Sequence, residues 1–112
     1  MAIAEAFSGT EAVSTTEHSM TTDTAGPDSD TTDGVYQIWL DLSDMVTGDE
    51  LQIRVYETAD ATQDIFYQAN LVGVQALPLW ASPTFVLTGG WDATLDAIAG
   101  TITVTWSIRQ VT

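Results

Sequence analysis

The strongest constraint on the fold is a pair of segments, within residues 34–57, in which apolar and polar side chains alternate with a period of two. The first reads Gly-Val-Tyr-Gln-Ile-Trp-Leu-Asp-Leu and the second reads Leu-Gln-Ile-Arg-Val-Tyr-Glu. A polar connection that contains glycine separates them. Such alternation is typical of half-buried β-strands, so the pair predicts an antiparallel hairpin with one apolar face.

The register of this hairpin follows from the need to bury one face. It sets three apolar pairs opposite one another, namely Leu42 with Leu51, Leu40 with Ile53, and Ile38 with Val55. The same register puts Trp39 opposite Arg54 on the other face, beside Tyr56. Two interpretations of that face stay open. Either Trp39 makes a cation–π contact with Arg54 at the surface, or another sheet or another chain covers both residues.

Other segments show the same alternation, with turn signals between them and no amphipathic helix. Strands are expected near residues 3–8, 11–20, 64–72, 84–88, 91–99 and 101–112, with a turn at Gly9. The predicted core comprises Leu40, Leu42, Leu51, Ile53, Val55, Ile65, Val104 and Trp106. The fold class is therefore all-β. We predict one domain over residues 1–112, an antiparallel β-sandwich of about seven to eight strands, with either immunoglobulin-like or jelly-roll topology.

Two segments do not alternate. Residues 21–33 are acidic, rich in Thr and Asp and poor in apolar residues, which predicts a flexible loop or arm. Residues 73–83 contain Pro78 and Pro83, and proline cannot donate to a central ladder. That segment is therefore expected at a sheet edge or in an irregular crossing.

If the strand at 64–72 continues the same sheet, Phe66 joins Trp39 and Tyr56 on the outer face. A patch of aromatic residues at the surface favours an interface. Trp80, which lies between the two prolines, is a further candidate. The predicted interface residues are thus Trp39, Arg54, Tyr56, Phe66 and Trp80.

The charge of the chain excludes several classes of partner. It has 2 basic and 16 acidic residues, for a net charge of -14. Such a chain repels phosphate, so neither nucleic acid nor an anionic membrane is an expected partner. The absence of cysteine excludes disulfides and thiolate metal sites. The first residues lack the basic region and long apolar core of a signal peptide.

No catalytic motif is present, so an enzyme is not expected, and no cofactor is predicted. The single histidine, His18, has no partner at a metal-ligand spacing and is interpreted as structural. Asp28, Asp30 and Asp33 resemble part of a calcium loop. The third acid comes one residue late and the closing Glu is missing, so they predict weak divalent-ion binding at most.

The tryptophans are also compatible with sugar binding. Trp39, Trp80 and Trp91 could together form a platform on which sugar rings stack, as in carbohydrate-binding modules. Tryptophan is more often a core or interface residue, so this interpretation is the alternative.

Six short segments of the chain resemble a group of small proteins encoded in tailed-bacteriophage genomes. They are residues 14–17, 33–37, 41–43, 48–49, 54–57 and 106–109. The resemblance implies a virion structural protein that binds the outside of the capsid as a decoration or cement protein. It implies assembly in the host bacterial cytoplasm and a place on the capsid surface. The implied partners are the major capsid protein and the protein itself, as a homo-oligomer with a trimer favoured. The alternative is a carbohydrate-binding or tail-associated β-sandwich module.

Overall fold

The computed structural model describes residues 2–112, which form ten β-strands. The strands are β1 (Ile3–Val13), β2 (His18–Ser19), β3 (Thr24–Ala25), β4 (Gly34–Asp41), β5 (Glu50–Thr58), β6 (Gln63–Val72), β7 (Leu79–Ala81), β8 (Phe85–Leu87), β9 (Asp92–Ala99) and β10 (Ile102–Val111). Within the described part of the chain there is no helix with the length and apolarity needed to cross a membrane.

The strands form two antiparallel sheets of five strands each, which enclose one core. Sheet A has the order β1-β10-β4, and both β7 and β8 pair with the far edge of β4. Sheet B has the order β3-β2-β9-β5-β6. The predicted antiparallel sandwich is confirmed, with ten strands rather than seven or eight. The two additional strands, β3 and β7, are too short to show an alternation in the sequence.

The predicted hairpin is wrong, because β4 and β5 belong to different sheets. β4 pairs with β10, β7 and β8, whereas β5 pairs with β6 and β9. The connection between them crosses from one sheet to the other and buries Leu42 and Met45. The faces were nevertheless assigned correctly, since all six apolar residues of the predicted pairs are buried. Alternation identifies the strand face that points to the core. It does not identify the neighbouring strand, because two strands that face each other across a sandwich show the same alternation as two strands of a hairpin.

The turn predicted at Gly9 is also wrong. Gly9 lies inside β1 and pairs with Trp106 of β10. A Cβ atom at this position would lie 2.5 Å from Cζ2 of the Trp106 ring. The glycine is needed because the indole packs against the backbone, and the chain turns only after β1, at residues 14–17.

Seven of the eight predicted core residues are buried, and Ile65 is the exception at 46% exposed. The pairing of β5 with β6 has a β-bulge, because Val55 pairs with Tyr67 but Tyr56 pairs with Ile65. Phe66 is the extra residue. The bulge moves Ile65 off the core face and turns Phe66 toward Phe85 of β8, with ring centroids 5.4 Å apart.

Residues 21–33 lie along the edge of sheet B rather than projecting from it. Asp92 is fully buried, and its carboxylate accepts hydrogen bonds from Ser19 Oγ, Thr21 Oγ1 and the backbone N–H of Asp28. Burial raises the pKa of Asp92, and these donors partly oppose that effect. The segment is thus attached at several points, and its predicted flexibility stays a prediction.

Candidate functional site

The five predicted interface residues do not share one surface. Trp39 lies on the outer face of sheet A, where it pairs with Ser107. Arg54 and Tyr56 lie on the outer face of sheet B. The expected contact between Trp39 and Arg54 is therefore wrong, and the cause is the same as for the hairpin: strands β4 and β5 are not neighbours.

The two remaining candidates lie elsewhere. Trp80 pairs with Leu40 on β4, points inward and packs against the core. Phe66 is half exposed at the edge of the sandwich. The platform of three tryptophans is likewise wrong, because Trp91 is fully buried between the sheets. Only Trp39 offers its ring on an open face.

The outer face of sheet B around Arg54 and Tyr56 is covered by the protein's own connection between β1 and β2. Glu17 in that connection accepts hydrogen bonds from Tyr56 Oη and Thr94 Oγ1, each at 2.5 Å. The Arg54 Nη1 atom lies 3.6 Å from Glu17 Oε1. Burial and the neighbouring Glu17 raise the pKa of Tyr56 to about 12. This cluster attaches the connection to the sheet and leaves little surface for a partner.

One more carboxylate belongs to this cluster. Burial raises the pKa of Asp96, an effect that Arg54 opposes and Glu17 strengthens. Asp96 Oδ1 and Arg54 Nε are both buried without a hydrogen-bond partner. The cluster is thus a structural contact with incompletely satisfied polar atoms.

His18 lies on β2 between two carboxylates. Its Nδ1 atom is 3.2 Å from Glu11 Oε2, and its Nε2 atom is 2.8 Å from Asp23 Oδ1. Among residues 2–112 these are the only three side chains of metal-ligating type that lie close enough to share an ion. The two carboxylates face different ring nitrogens, however, so one ion cannot replace both contacts. His18 is hydrogen-bonded to Asp23 in the following turn and within ion-pair distance of Glu11 on β1, so it can hold β1, β2 and this turn together.

Asp28, Asp30 and Asp33 do not converge on one point. Asp28 Oδ2 accepts hydrogen bonds from two threonine hydroxyls, and Asp30 Oδ1 accepts one from the backbone N–H of Thr32. Asp30 also forms an isolated bridge with Trp91. The three carboxylates therefore serve the local loop and do not form a calcium cage.

The outer face of sheet A carries an open groove of about 570 Å³, called here the Trp39 groove. It lies across β1, β10, β4 and β7, and it combines an indole, hydroxyl groups, carboxylates and one guanidinium. Its lining residues include Trp39, Ser8, Thr10, Thr105, Ser107, Glu5, Asp41, Leu79 and Arg109. The backbone N–H of Ser43 donates to Asp41 and lowers the pKa of that carboxyl. An aromatic surface with polar groups around it is suited to binding.

The geometry of Trp39 in this groove is set by two neighbours. Its indole N–H donates to Gln37 Oε1 over 3.1 Å, and Gln37 in turn donates to the backbone carbonyl of Ser82. The Arg109 guanidinium lies 4.6 Å from the centroid of the Trp39 ring. Trp39 is therefore held in one orientation before any partner arrives.

Arg109 is the residue that the sequence interpretation missed. Among residues 2–112 no Asp or Glu forms an ion pair with it, although the chain has 16 acidic residues. Its Nε donates to Ser107 Oγ, and the side chain is exposed. The alternation of β10 does place Arg109 on the polar face, but only the pairing of β10 with β4 brings it to Trp39.

Comparison with known proteins found no match among family models, curated proteins or solved structures.

Proposed function

We propose that this protein is a non-enzymatic structural protein of a tailed-bacteriophage virion, which binds the outside of the capsid and stabilises it as a decoration or cement protein. The resemblance of six segments of the chain to small phage proteins supports the class. The observation that carries the proposal of a binding role is the Trp39 groove, where an indole and a guanidinium that forms no ion pair among residues 2–112 are stacked on an open sheet face.

The two side chains supply complementary kinds of contact. The Trp39 ring offers apolar area that needs little further ordering, which is the property of residues that dominate interfaces. Arg109 can pair with a carboxylate of the capsid protein through two parallel N–H bonds. Its position over the indole keeps the guanidinium fork oriented. The capsid surface that fits this groove therefore presents an apolar group next to an acidic side chain.

The overall charge is compatible with that location. A chain with a net charge of -14 is repelled by packaged DNA, so it is suited to the exterior of a particle rather than its interior. A homo-oligomer of any order would add avidity, since several grooves could engage one capsid at once.

The test is co-sedimentation with empty capsids assembled from the major capsid protein encoded in the same genome. The parent protein is expected to sediment with the capsids, and Trp39→Ala and Arg109→Ala are each expected to bind at least about tenfold more weakly. Ile98→Ala is the matched control, because it truncates an exposed apolar side chain on β9, away from the groove. Equal binding by all four proteins would reject the groove, and no binding by the parent would reject the function.

A carbohydrate-binding module is the second candidate, and the composition of the same groove favours it. The indole is accompanied by four hydroxyl side chains and two carboxylates, which are common partners of sugar hydroxyls. Titration with a panel of oligosaccharides, followed by Trp fluorescence, tests this candidate, with Trp39→Ala as the negative control. Saturable binding of a sugar without capsid binding would favour it. A tail-associated role would instead show as a few copies per particle, all at the tail.

A further inference from the structure

The charged residues are distributed very unevenly along the chain. Residues 65–91 contain no acidic, basic or histidine residue, although the chain as a whole has 16 acidic residues. The same run holds seven of the ten large apolar side chains that are exposed among residues 2–112. They are Ile65, Phe66, Val72, Val74, Leu77, Leu79 and Val86. Uncharged and exposed apolar surface thus comes from one continuous part of the chain.

The fold collects this run on one side of the sandwich. β6 is the edge strand of sheet B, and β7 with β8 forms one edge of sheet A. The two edges meet, because the Phe85 ring of β8 lies 5.4 Å from Phe66 and 5.0 Å from Tyr67 of β6. Residues 63–87 therefore form a lateral surface, called here the neutral wall, to which they contribute one charged residue, Asp64. Glu57 of β5 and Asp60 of the connection between β5 and β6 lie beside Phe66 and Val86 at one end of it.

The neutral wall contains an unprotected strand edge. β6 pairs with β5 on one side and with no strand of residues 2–112 on the other. Beyond the bulge at Phe66, the pairing is regular from Tyr67 to Val72, and these residues include no proline and no charge. Proline and charged residues normally protect the edge strands of soluble proteins, because the open N–H and C=O groups of an edge pair readily with another strand.

The charge of the molecule indicates what pairs with this edge. Two copies of a chain with a net charge of -14 repel each other wherever acidic surfaces meet, and that repulsion is weaker along residues 67–72, which carry no charge of their own. A basic partner, by contrast, would be attracted to the acidic surfaces and not to this one. A strand edge is also self-complementary when two copies meet about a two-fold axis.

We propose that the protein forms a dimer in which β6 of one copy pairs antiparallel with β6 of a second copy. Sheet B then continues across the two-fold axis, and Val72 and its exposed apolar neighbours are buried between the walls. This contact uses a different surface from the Trp39 groove and does not depend on the proposed capsid binding. It also differs from the trimer that the resemblance implies.

The test compares charge placed on the two open edges. Val72→Glu adds a carboxylate to β6 at a side chain that is 67% exposed, and Ile3→Glu adds one to β1 at a side chain that is 64% exposed. Both variants have the same net charge. In sedimentation velocity the parent and Ile3→Glu are expected to be dimers. Val72→Glu is expected to dissociate at least about tenfold more readily, because a charge on an edge opposes strand pairing.

Two further measurements use the parent alone, so they hold even if Val72→Glu folds poorly. Added NaCl should tighten the dimer, since it screens the repulsion between two acidic copies. Hydrogen exchange at the amides of residues 67–72 should slow as protein concentration rises. A parent that is monomeric at every concentration, a mass other than a dimer, or equal dissociation of the two variants would overturn the proposal. Exchange that does not depend on concentration would do the same.

Discussion

The two lateral walls of the sandwich have the same architecture and opposite character. Each wall is formed where an edge of sheet A meets an edge of sheet B. Residues 63–87 contribute one charge, Asp64, to the neutral wall, whereas the opposite wall joins β1 to β2 and the turn before β3 through Glu11, His18 and Asp23. Glu5 adds a further charge to the open edge of β1. We call the surface formed by β1, β2 and β3 the acidic wall.

The difference shows that one fold can protect its edges in two ways. On the acidic wall, β1 carries Glu5 and Glu11 and has a register shift between Glu5 and Phe7, all of which discourage pairing with another chain. On the neutral wall, the β7–β8 edge is interrupted by Pro83, but β6 beyond its bulge contains neither proline nor charge. Single substitutions can separate what holds each wall together from what lies between the walls.

The largest effect on stability is expected where β6 and β8 meet in the neutral wall, a contact called here the seam. Phe85 is buried and joins the two sheets, so Phe85→Ala should lower the free energy of unfolding by about 3–5 kcal/mol. Its neighbour Val86 is 77% exposed on the same strand, and Val86→Ala should change the monomer's stability by less than about 0.5 kcal/mol. Urea unfolding at a concentration where the protein is monomeric measures both. Similar losses in the two variants would mean that the seam is not where the sheets are joined.

On the acidic wall the corresponding test is Gly9→Ala. The new Cβ atom would overlap the Trp106 ring, so the indole or β1 must shift, at a cost of about 1–3 kcal/mol. Ser8→Ala is the matched control, since Ser8 is exposed and lines the Trp39 groove on the other face of β1. In urea unfolding, Gly9→Ala should have a lower free energy of unfolding than the parent, and Ser8→Ala should not. If Gly9→Ala were as stable as the parent, the close packing of Trp106 against β1 would be wrong.

Between the walls, the outer face of sheet A should contribute little to stability. Trp39→Ala removes a partly buried indole and its contact with Arg109, a contact worth about 0.5–1 kcal/mol near the surface. The variant should therefore keep the fold, with a far-ultraviolet circular dichroism spectrum like that of the parent. A much larger loss of stability would show that Trp39 is a core residue and would weaken the proposed binding role of the groove.

The smallest effect is expected on the outer face of sheet B. The pKa of Asp96 is raised in the folded protein, so the protonated form contributes stability at low pH that is lost as the pH rises through the folded pKa. Asp96→Asn should therefore raise the midpoint of thermal unfolding slightly near neutral pH. That advantage should shrink as the pH falls toward the ordinary Asp pKa of about 4, because the folded parent carboxyl takes up its proton above that value. A lower midpoint near neutral pH would mean that attraction to Arg54 outweighs the cost of burial.

The sequence predicted best where alternation is long and uninterrupted. In β10 the four alternate residues Ile102, Val104, Trp106 and Ile108 are all buried as expected. In β9 the alternate apolar residues are buried too, and the proline-containing segment does lie at a sheet edge. These successes share one cause, since burial of one strand face depends on the period of the side chains and not on which strand is the neighbour.

The failures arose where the partner strand or a single extra residue decides the outcome. Alternation along the strand predicts Ile65 in the core, but the extra residue at the bulge shifts the alternation by one and turns Ile65 away from the core. Gly9 was interpreted as a turn because glycine permits one, whereas its function is to make room for Trp106. Neither the bulge nor the distant indole has a local signal in the chain.

The candidate site shows the same limit. The alternation predicts Trp39 correctly on an outer face, but the predicted hairpin register makes Arg54 its companion, and that register is wrong because β4 pairs with β10. The sequence by itself determined the fold class, the inward residues of the long strands, and the long run without charge that became the neutral wall. Only the tertiary structure decided that β4 pairs with β10, that Arg109 lies over Trp39, and that Glu17 covers Tyr56. The physical reason is that side-chain periodicity is a local property, whereas strand pairing is a choice among distant segments that bury the same faces equally well.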